Sequence, residues 1–162
     1  MLHITGDASD VNSWVLDWMT ENTHFKPPAS ELLHALPISP PPEGARCMYQ
    51  EPELTDHYMQ VLMKPLKPGQ APRTKFLVKE LLYVPRTVYR ILTKTLSPIK
   101  GHDSNEEEVV GIMKNLLFNI IHGVPVNFHD FFRRTLANVA MSTFELKPYA
   151  PWIKRFIRTR SS

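Results

Sequence analysis

Apolar residues recur at helical spacing through the second half of the chain, and the widest stripe lies within residues 105–122. Its members recur every three or four positions: Val109, Ile112, Met113, Leu116, Leu117, Ile120 and Ile121. This period places them on one face of an α-helix. Gly123 suits the position just after a helix, and Pro125 cannot continue one. We therefore predict a long helix over 105–122.

The start of this predicted helix is marked by acidic residues. Ser104 with Glu107, or Asn105 with Glu108, has the spacing of a capping box or a close variant of one. The glutamates at 106–108 would then lie at the positive end of the helix dipole, where carboxylates are stabilising. Three adjacent carboxylates can in principle bind a cation. At a helix start the dipole interpretation is far more common, and we favour it.

Three other segments of the second half also predict helices. One begins at Pro85 and ends before Pro98, with an apolar stripe of Val88, Ile91, Leu92 and Leu96. Another begins after Asn127, a good N-cap, and buries Phe128, Phe131, Phe132, Leu136 and Val139. The last covers about 151–159. Each has one apolar face that it cannot bury alone, so we expect these helices to pack together around 105–122.

The first half of the chain gives weaker signals. Residues 7–22 predict an amphipathic helix because Val11, Trp14, Val15, Trp18 and Met19 share one helical face. Short helices are expected at 30–36 and 53–64. The alternation before residue 7 suits the end of a strand, and residues 75–84 mix the two periods, so strand and helix both stay open there.

Proline is the most unusual feature of the composition, with 15 prolines against 6 glycines. Seven of the prolines fall in residues 26–52, where each fixes the backbone and removes a hydrogen-bond donor. We therefore predict a mainly α protein, an irregular helical bundle with a proline-rich N-terminal half and one or two short strands at most. The expected division is a partly irregular segment over 1–72, with two helices, and a helical domain over 73–162.

The charge is distributed unevenly between these two parts. Residues 1–72 carry 9 acidic and 4 basic side chains, and residues 73–162 carry 7 acidic and 15 basic ones, which sum to the net charge of +3. One interpretation is that the basic part meets an acidic partner. The other, equally favoured, is that the two parts attract each other.

Known catalytic and cofactor motifs are missing from the sequence. It contains no GxGxxG, no GxxxxGK[ST] and no HExxH pattern. Its one cysteine, Cys47, excludes an intramolecular disulfide framework and a zinc site built from several thiolates. We therefore expect no cofactor, no metal and an intracellular location, in either the nucleus or the cytoplasm. No run of about 18 apolar residues predicts a membrane span.

Two histidines lie near an aspartate and are the only hint of catalysis. His122 and His129 flank a predicted turn, and Asp130 follows directly. A His–Asp pair is the orienting half of a catalytic triad, but no nucleophile elbow accompanies it. We favour a structural role for all three residues by about ten to one, and we predict that the protein is not an enzyme.

The basic C-terminal tail is the best functional candidate. Residues 147–160 carry five cations and no acid, interleaved with Tyr149, Trp152 and Phe156. Cations neutralise phosphates, and aromatic rings stack on unpaired bases. An ordinary amphipathic helix with solvated charges gives the same pattern and is favoured two or three to one; membrane-surface binding is a weaker option. The candidate nucleic-acid-binding residues are Arg133, Arg134, Lys147, Lys154, Arg155, Arg158 and Arg160.

Several stretches of the second half resemble proteins of known type. They are Lys75–Arg86, Thr95–His102, Met113–Pro125, Phe131–Ala137 and the tail from Tyr149 to Ser162. Over roughly residues 50–162 the chain resembles retrotransposon-derived proteins of grasses, and it is similar to the helical module of plant transposon-type open reading frames.

The resemblance implies a non-enzymatic structural or interaction protein, capsid-like or accessory, that self-associates. It implies no catalytic residue. The DTG or DSG triplet of an aspartic protease, the YxDD of a reverse transcriptase and a zinc knuckle are all missing from the sequence. The abrupt start at Met1 predicts a fragment of a longer reading frame.

Overall fold

The computed structural model describes residues 3–6, 13, 15–19, 24–34, 38–96, 107–140, 156 and 158. The chain divides into two compact units, one formed by residues 1–40 with 128–162 and the other by residues 41–127. The boundary predicted at residue 72 does not coincide with this division. Helical residues far outnumber strand residues in the described part, which confirms the mainly α class. A single bundle stays a prediction.

Short strands come first along the chain, and helices follow them. The elements are β1 (His3–Thr5), β2 (Val15–Met19), β3 (His24–Phe25), α1 (Ala29–His34), α2 (Asp56–Gln60), a 3-10 turn (Val78–Glu80), α3 (Tyr83–Thr95), α4 (Ile112–Ile121) and α5 (Phe128–Ala140). The predicted short helices of the first half correspond to α1 and α2. The stretch whose period was ambiguous contains the 3-10 turn.

The first unit contains a three-stranded antiparallel sheet in the order β1-β2-β3. Thr5 pairs with Val15 and Trp18 pairs with Phe25. The helix predicted over 7–22 is therefore wrong at residues 15–19. Valine and tryptophan suit a strand as well as a helix, and β1 and β3 supply the backbone partners that local spacing cannot reveal.

Asp17 of β2 contacts two residues at and after β3, His24 and Lys26. The Asp17 carboxylate bonds the His24 ring and lies 3.4 Å from the Lys26 Nζ. The hydrogen bond from His24 lowers the pKa of Asp17, with a smaller contribution from Lys26. In the same unit, α5 packs against α1 and β1.

The second unit has a core of large apolar side chains around α4. The fully buried members are Met48, Met59, Leu62, Phe76, Leu81, Tyr89, Val109, Leu116 and Leu117. α3 contributes Tyr89, whose hydroxyl donates a hydrogen bond to Glu107. Burial raises the pKa of Tyr89 to about 12, so this hydroxyl stays a donor throughout the neutral range.

α4 begins seven residues later than the sequence predicted. Residues 107–109 are extended and pair with residues 76–78: Val78 N donates to Glu107 O at 2.8 Å, and Val109 N donates to Phe76 O at 2.8 Å. Within this paired segment Val109 is fully buried. Gly111, with φ of 52°, then turns the chain into α4.

The predicted capping box is consequently wrong. Glu107 and Glu108 belong to the extended segment, so neither lies in the first turn of α4. Ser104, Asn105 and Glu106 lie outside the described residues. By contrast, the predicted helix end is confirmed, because Gly123 has φ of 66° directly after α4, and Val124 N donates to Asn119 O at 2.9 Å.

The C-terminal region was predicted to contain two helices. α5 begins at Phe128, directly after Asn127, as the sequence predicted. The helix predicted over 151–159 is described only at Phe156 and Arg158, and both are helical. Phe156 is buried, and the rest of that segment lies outside the described residues.

The two ends of the second unit are hydrogen-bonded to each other. Arg46 N donates to Pro125 O at 2.9 Å, and Asn127 N donates to Arg46 O at 2.9 Å. Arg46 and Val126 form the resulting parallel bridge. Arg46, near the start of this unit, therefore lies beside Val126, near its end.

α4 also holds the segment 52–56, in which residues 52–55 have no regular structure and Asp56 begins α2. The buried Asn115 side chain accepts a hydrogen bond from Leu54 N at 2.8 Å and donates one to Pro52 O at 2.7 Å. Lys114 lies beside it, with Nζ 2.9 Å from the Glu53 carboxylate and 5.3 Å from the Phe76 ring centre. Two adjacent α4 residues thus fix this segment.

Replacing Asn115 tests this anchor. Asn115→Ala leaves Leu54 N and Pro52 O without their partner, so we expect the free energy of unfolding to fall by about 1–3 kcal/mol. Urea denaturation measures the change. The control is Gln70→Ala: Gln70 accepts a backbone hydrogen bond at 3.1 Å but is exposed, and its loss should cost at most about 0.5 kcal/mol. Equal losses for the two variants would contradict the anchor.

Candidate functional site

The structure places two predicted nucleic-acid-binding residues, Arg133 and Arg134, beside an acidic residue of their own helix. Arg134 Nε donates to both carboxylate oxygens of Asp130, at 3.0 and 3.1 Å, and an Arg133 nitrogen lies 3.7 Å from the same carboxylate. Asp130 is 4% exposed. A buried carboxylate holds these guanidinium groups in place, which lowers the charge they can offer to a phosphate. This ion pair could have been predicted from the sequence, because Asp130 and Arg134 are spaced i, i+4 on one helix.

The remaining predicted cations lie in the tail. Arg158 is helical and exposed. The other four, Lys147, Lys154, Arg155 and Arg160, lie outside the described residues. Binding of nucleic acid by this tail stays a prediction.

The two candidate catalytic histidines each have a backbone partner within their own unit. The His122 Nδ1 lies 2.8 Å from Phe118 O, and its ring stacks on the Phe118 ring with centres 4.0 Å apart. The His129 Nε2 lies 3.0 Å from Ile38 O. The nearby Asp130 carboxylate binds Arg134. These contacts support a structural role for all three residues.

α3 presents a surface that the sequence analysis missed. Arg86, Arg90 and Lys94 recur every four residues, and the helix contains no acidic residue between 83 and 95. At a rise of 1.5 Å per residue, these cations line about 12 Å of one face. Beside them Tyr83 is 73% exposed and Ile91 is 56% exposed. We call this surface, with Thr87, the basic face of α3; it forms a shallow depression of about 340 Å³.

The orientation of α3 explains why this face was missed. Leu92 of the predicted stripe is buried, but Ile91 of the same stripe is exposed, and the helix buries Pro85 and Tyr89 beside Leu92. Tyr89 turns inward because its hydroxyl finds Glu107 as a partner. This rotation exposes Ile91. The sequence feature that could have indicated this face is the repeat of cations every four residues with no acidic residue between them.

A groove between the segment 52–56 and α4 is the second candidate site, with a volume of about 330 Å³. Tyr58 and Phe118 line it, with their rings edge to face and their centres 5.6 Å apart. Asn115 and Asn119 also line it, and both side chains are almost fully buried. The charged groups that line it are Arg46, Glu51 and Glu53.

The charges of this groove are paired. Arg46 lies 4.0 Å from the Glu51 carboxylate, and Lys114 lies 2.9 Å from the Glu53 carboxylate. The hydrogen bond from Lys114 lowers the pKa of Glu53, and the charge of the ammonium group adds to the effect. The groove therefore offers aromatic surface and neutral polar groups more than unpaired charge.

No cofactor or metal site emerges from the residues that the structure describes. Among them, no group of three or more histidine, cysteine, aspartate or glutamate side chains is placed to hold a metal ion. None of the described helices combines the length and the apolar character needed to cross a membrane. Comparisons of the chain with protein-family models, with curated proteins and with solved structures find no match.

The pairing of Glu53 with Lys114 predicts a pH dependence. Because the pKa of Glu53 is lowered from its ordinary value of 4.5, the pair stabilises the fold at neutral pH, and this contribution is lost as pH falls through the lowered pKa. We expect Glu53→Gln to lose less stability than the wild type between pH 7 and pH 3, as measured by urea denaturation. The effect is small because Glu53 is largely exposed.

An exposed acidic residue provides the control for this measurement. Glu43 makes no ion pair within the described part of the chain, so Glu43→Gln should show the same pH difference as the wild type. If Glu53→Gln also matches the wild type, the pair does not contribute to stability.

Proposed function

We propose that this chain is a non-catalytic interaction protein that binds single-stranded nucleic acid through the basic face of α3. The observation that carries the proposal is the row of three cations, Arg86, Arg90 and Lys94, beside exposed Tyr83 and Ile91 on a helix without acids. Phosphates are bound by such cations, and the displaced counterions favour the complex.

The exposed apolar residues distinguish this surface from an ordinary solvated helix face. Tyr83, Val84 and Ile91 are all more than half exposed, although large apolar side chains gain free energy by burial. Bases of a single strand present aromatic faces that such side chains can cover, whereas a duplex hides them in its stack. Tyr83, at the start of the helix, is the proposed stacking residue.

The repeat of the cations also suits a polyanion. Four residues of helix rise about 6 Å, so successive positive charges follow one another along the axis without a break. Lys94 and Arg90 are exposed and Arg86 is half-buried. The predicted cations of the tail, including Arg158, would add to this surface under the same proposal, whereas Arg133 and Arg134 contribute less because Asp130 holds them.

The resemblance to retrotransposon-derived plant proteins suggests a biological role for this binding. We propose a capsid-like or accessory role, in which the chain self-associates and contacts the nucleic acid of the element. Binding to a strand does not depend on this origin. It depends only on the charges of α3 and on the exposed ring of Tyr83.

The test is binding of a fluorescent oligothymidylate at several salt concentrations. The wild type should bind, with affinity falling steeply as salt rises. In Arg86→Gln/Lys94→Gln, two phosphate contacts are lost, so the slope of log K against log salt should decrease in magnitude by about 1.4. Tyr83→Ala should weaken binding by about 1–3 kcal/mol through lost stacking.

A charge-matched variant controls for net charge. Lys67→Gln/Lys75→Gln removes two exposed cations that lie outside α3, so its slope should stay close to that of the wild type. Equal effects of the two double variants would mean that charge alone, and not the face of α3, determines binding. An absence of binding by the wild type at low salt would remove the proposal.

A further inference from the structure

We infer that the groove between the segment 52–56 and α4 binds an uncharged planar heterocycle with an amino group, of the adenine class. The site is separate from the basic face of α3 and shares no residue with it. The inference does not rest on the proposed function. It rests on an acceptor that has no protein partner among the described residues, on an aromatic wall and on the pairing of the surrounding charges.

The acceptor is the amide oxygen of Asn119. This side chain is 3% exposed and lines the groove. Its nitrogen donates to Asn115 O at 2.8 Å and contacts Met48 Sδ at 3.6 Å. The amide oxygen accepts no hydrogen bond from any residue that the structure describes. This oxygen is not one of the fully enclosed polar atoms, so it is reachable from the groove, where a ligand N–H can donate to it.

Its neighbour Asn115 shows why Asn119 is distinctive. Both amides lie one helical turn apart on α4 and both line the groove. The Asn115 oxygen and nitrogen are each bonded to the backbone of the segment 52–56. Both polar atoms of the Asn115 amide are therefore occupied by the protein, whereas the Asn119 oxygen is available to a ligand.

The aromatic wall favours a planar ligand. Phe118 is fixed from one side by the stacked His122 ring and from another by the edge contact with Tyr58. Tyr58 itself is 51% exposed. Rings held in this way can cover a flat ligand without losing further rotational freedom, and stacked arrangements of aromatic rings are favourable.

A second neutral polar group lies in the same groove. Thr55 precedes α2 in the N-cap position, but its side chain makes no capping bond. The hydroxyl is free to donate or accept within the described part of the chain. An amino-substituted ring offers both kinds of partner, because its amino group donates and its ring nitrogens accept.

The charges select an uncharged ligand over a nucleotide. Glu51 faces Arg46, and Glu53 faces Lys114, so both carboxylates already have counterions. A phosphate would have to approach two carboxylates and compete for Arg46. The volume, about 330 Å³, is at the small end of ligand sites and suits one ring system better than a larger molecule.

Titration calorimetry with adenosine, purine riboside and adenosine monophosphate tests the inference. Adenosine should bind, and purine riboside, which lacks the amino group, should bind about tenfold more weakly because it cannot donate to Asn119. Adenosine monophosphate should bind no more tightly than adenosine. Equal binding of adenosine and purine riboside, tighter binding of the phosphate form, or no binding of adenosine at millimolar concentration would each overturn the inference.

Two variants locate the site on the whole chain. Tyr58→Ala removes a ring that is half exposed, so the fold should persist, and adenosine should bind at least fivefold more weakly. Leu66→Ala, at an exposed position outside the groove, should leave the affinity unchanged. An unchanged affinity in Tyr58→Ala would overturn the placement. Failure here leaves the oligonucleotide result intact, because the two sites have no residue in common.

Discussion

The second unit depends on the paired hydrogen bonds between the Asn115 amide and the backbone at residues 52 and 54. The segment that carries these groups has no strand or helix of its own to satisfy its polar atoms before α2 begins. One side chain supplies both a donor and an acceptor to it, and Lys114 adds an ion pair with Glu53. The position of α2, and with it the wall formed by Tyr58, follows from this anchor.

α3 illustrates how one polar contact decides which side of a helix is exposed. Its hydrophobic spacing permits more than one orientation, since Val88, Ile91 and Leu92 suit a core as well as Tyr89 does. The hydroxyl of Tyr89 meets a carboxylate at Glu107, and a phenol with such a partner can be buried without leaving its polar atom unsatisfied. In this orientation Arg90, Lys94 and Ile91 are exposed, and Arg86 lies at the edge of the buried side.

The sequence predicted the features that local chemistry determines and missed those that depend on distant partners. Gly123 lies just after the end of α4 and Asn127 lies just before the start of α5. Both signals are local, because a left-handed residue and an N-cap affect only the adjacent turn of a helix. The extended conformation at 107–109 depends on residues 76–78, which are distant in the sequence. Likewise, strand β2 depends on its neighbours. The groove could not be predicted, because the two asparagines of α4 are indistinguishable until their partners are known.

The parallel bridge between Arg46 and Val126 joins two points of the chain that are distant in sequence. Residues 1–40 and 128–162 form a single unit that is interrupted in sequence by residues 41–127, and this interrupting stretch is paired with itself near both of its ends, at Arg46 and Val126. A segment with adjacent ends can be inserted into a host loop, or removed from it, with little strain on either piece. Residues 46–126 have the connectivity of such a segment.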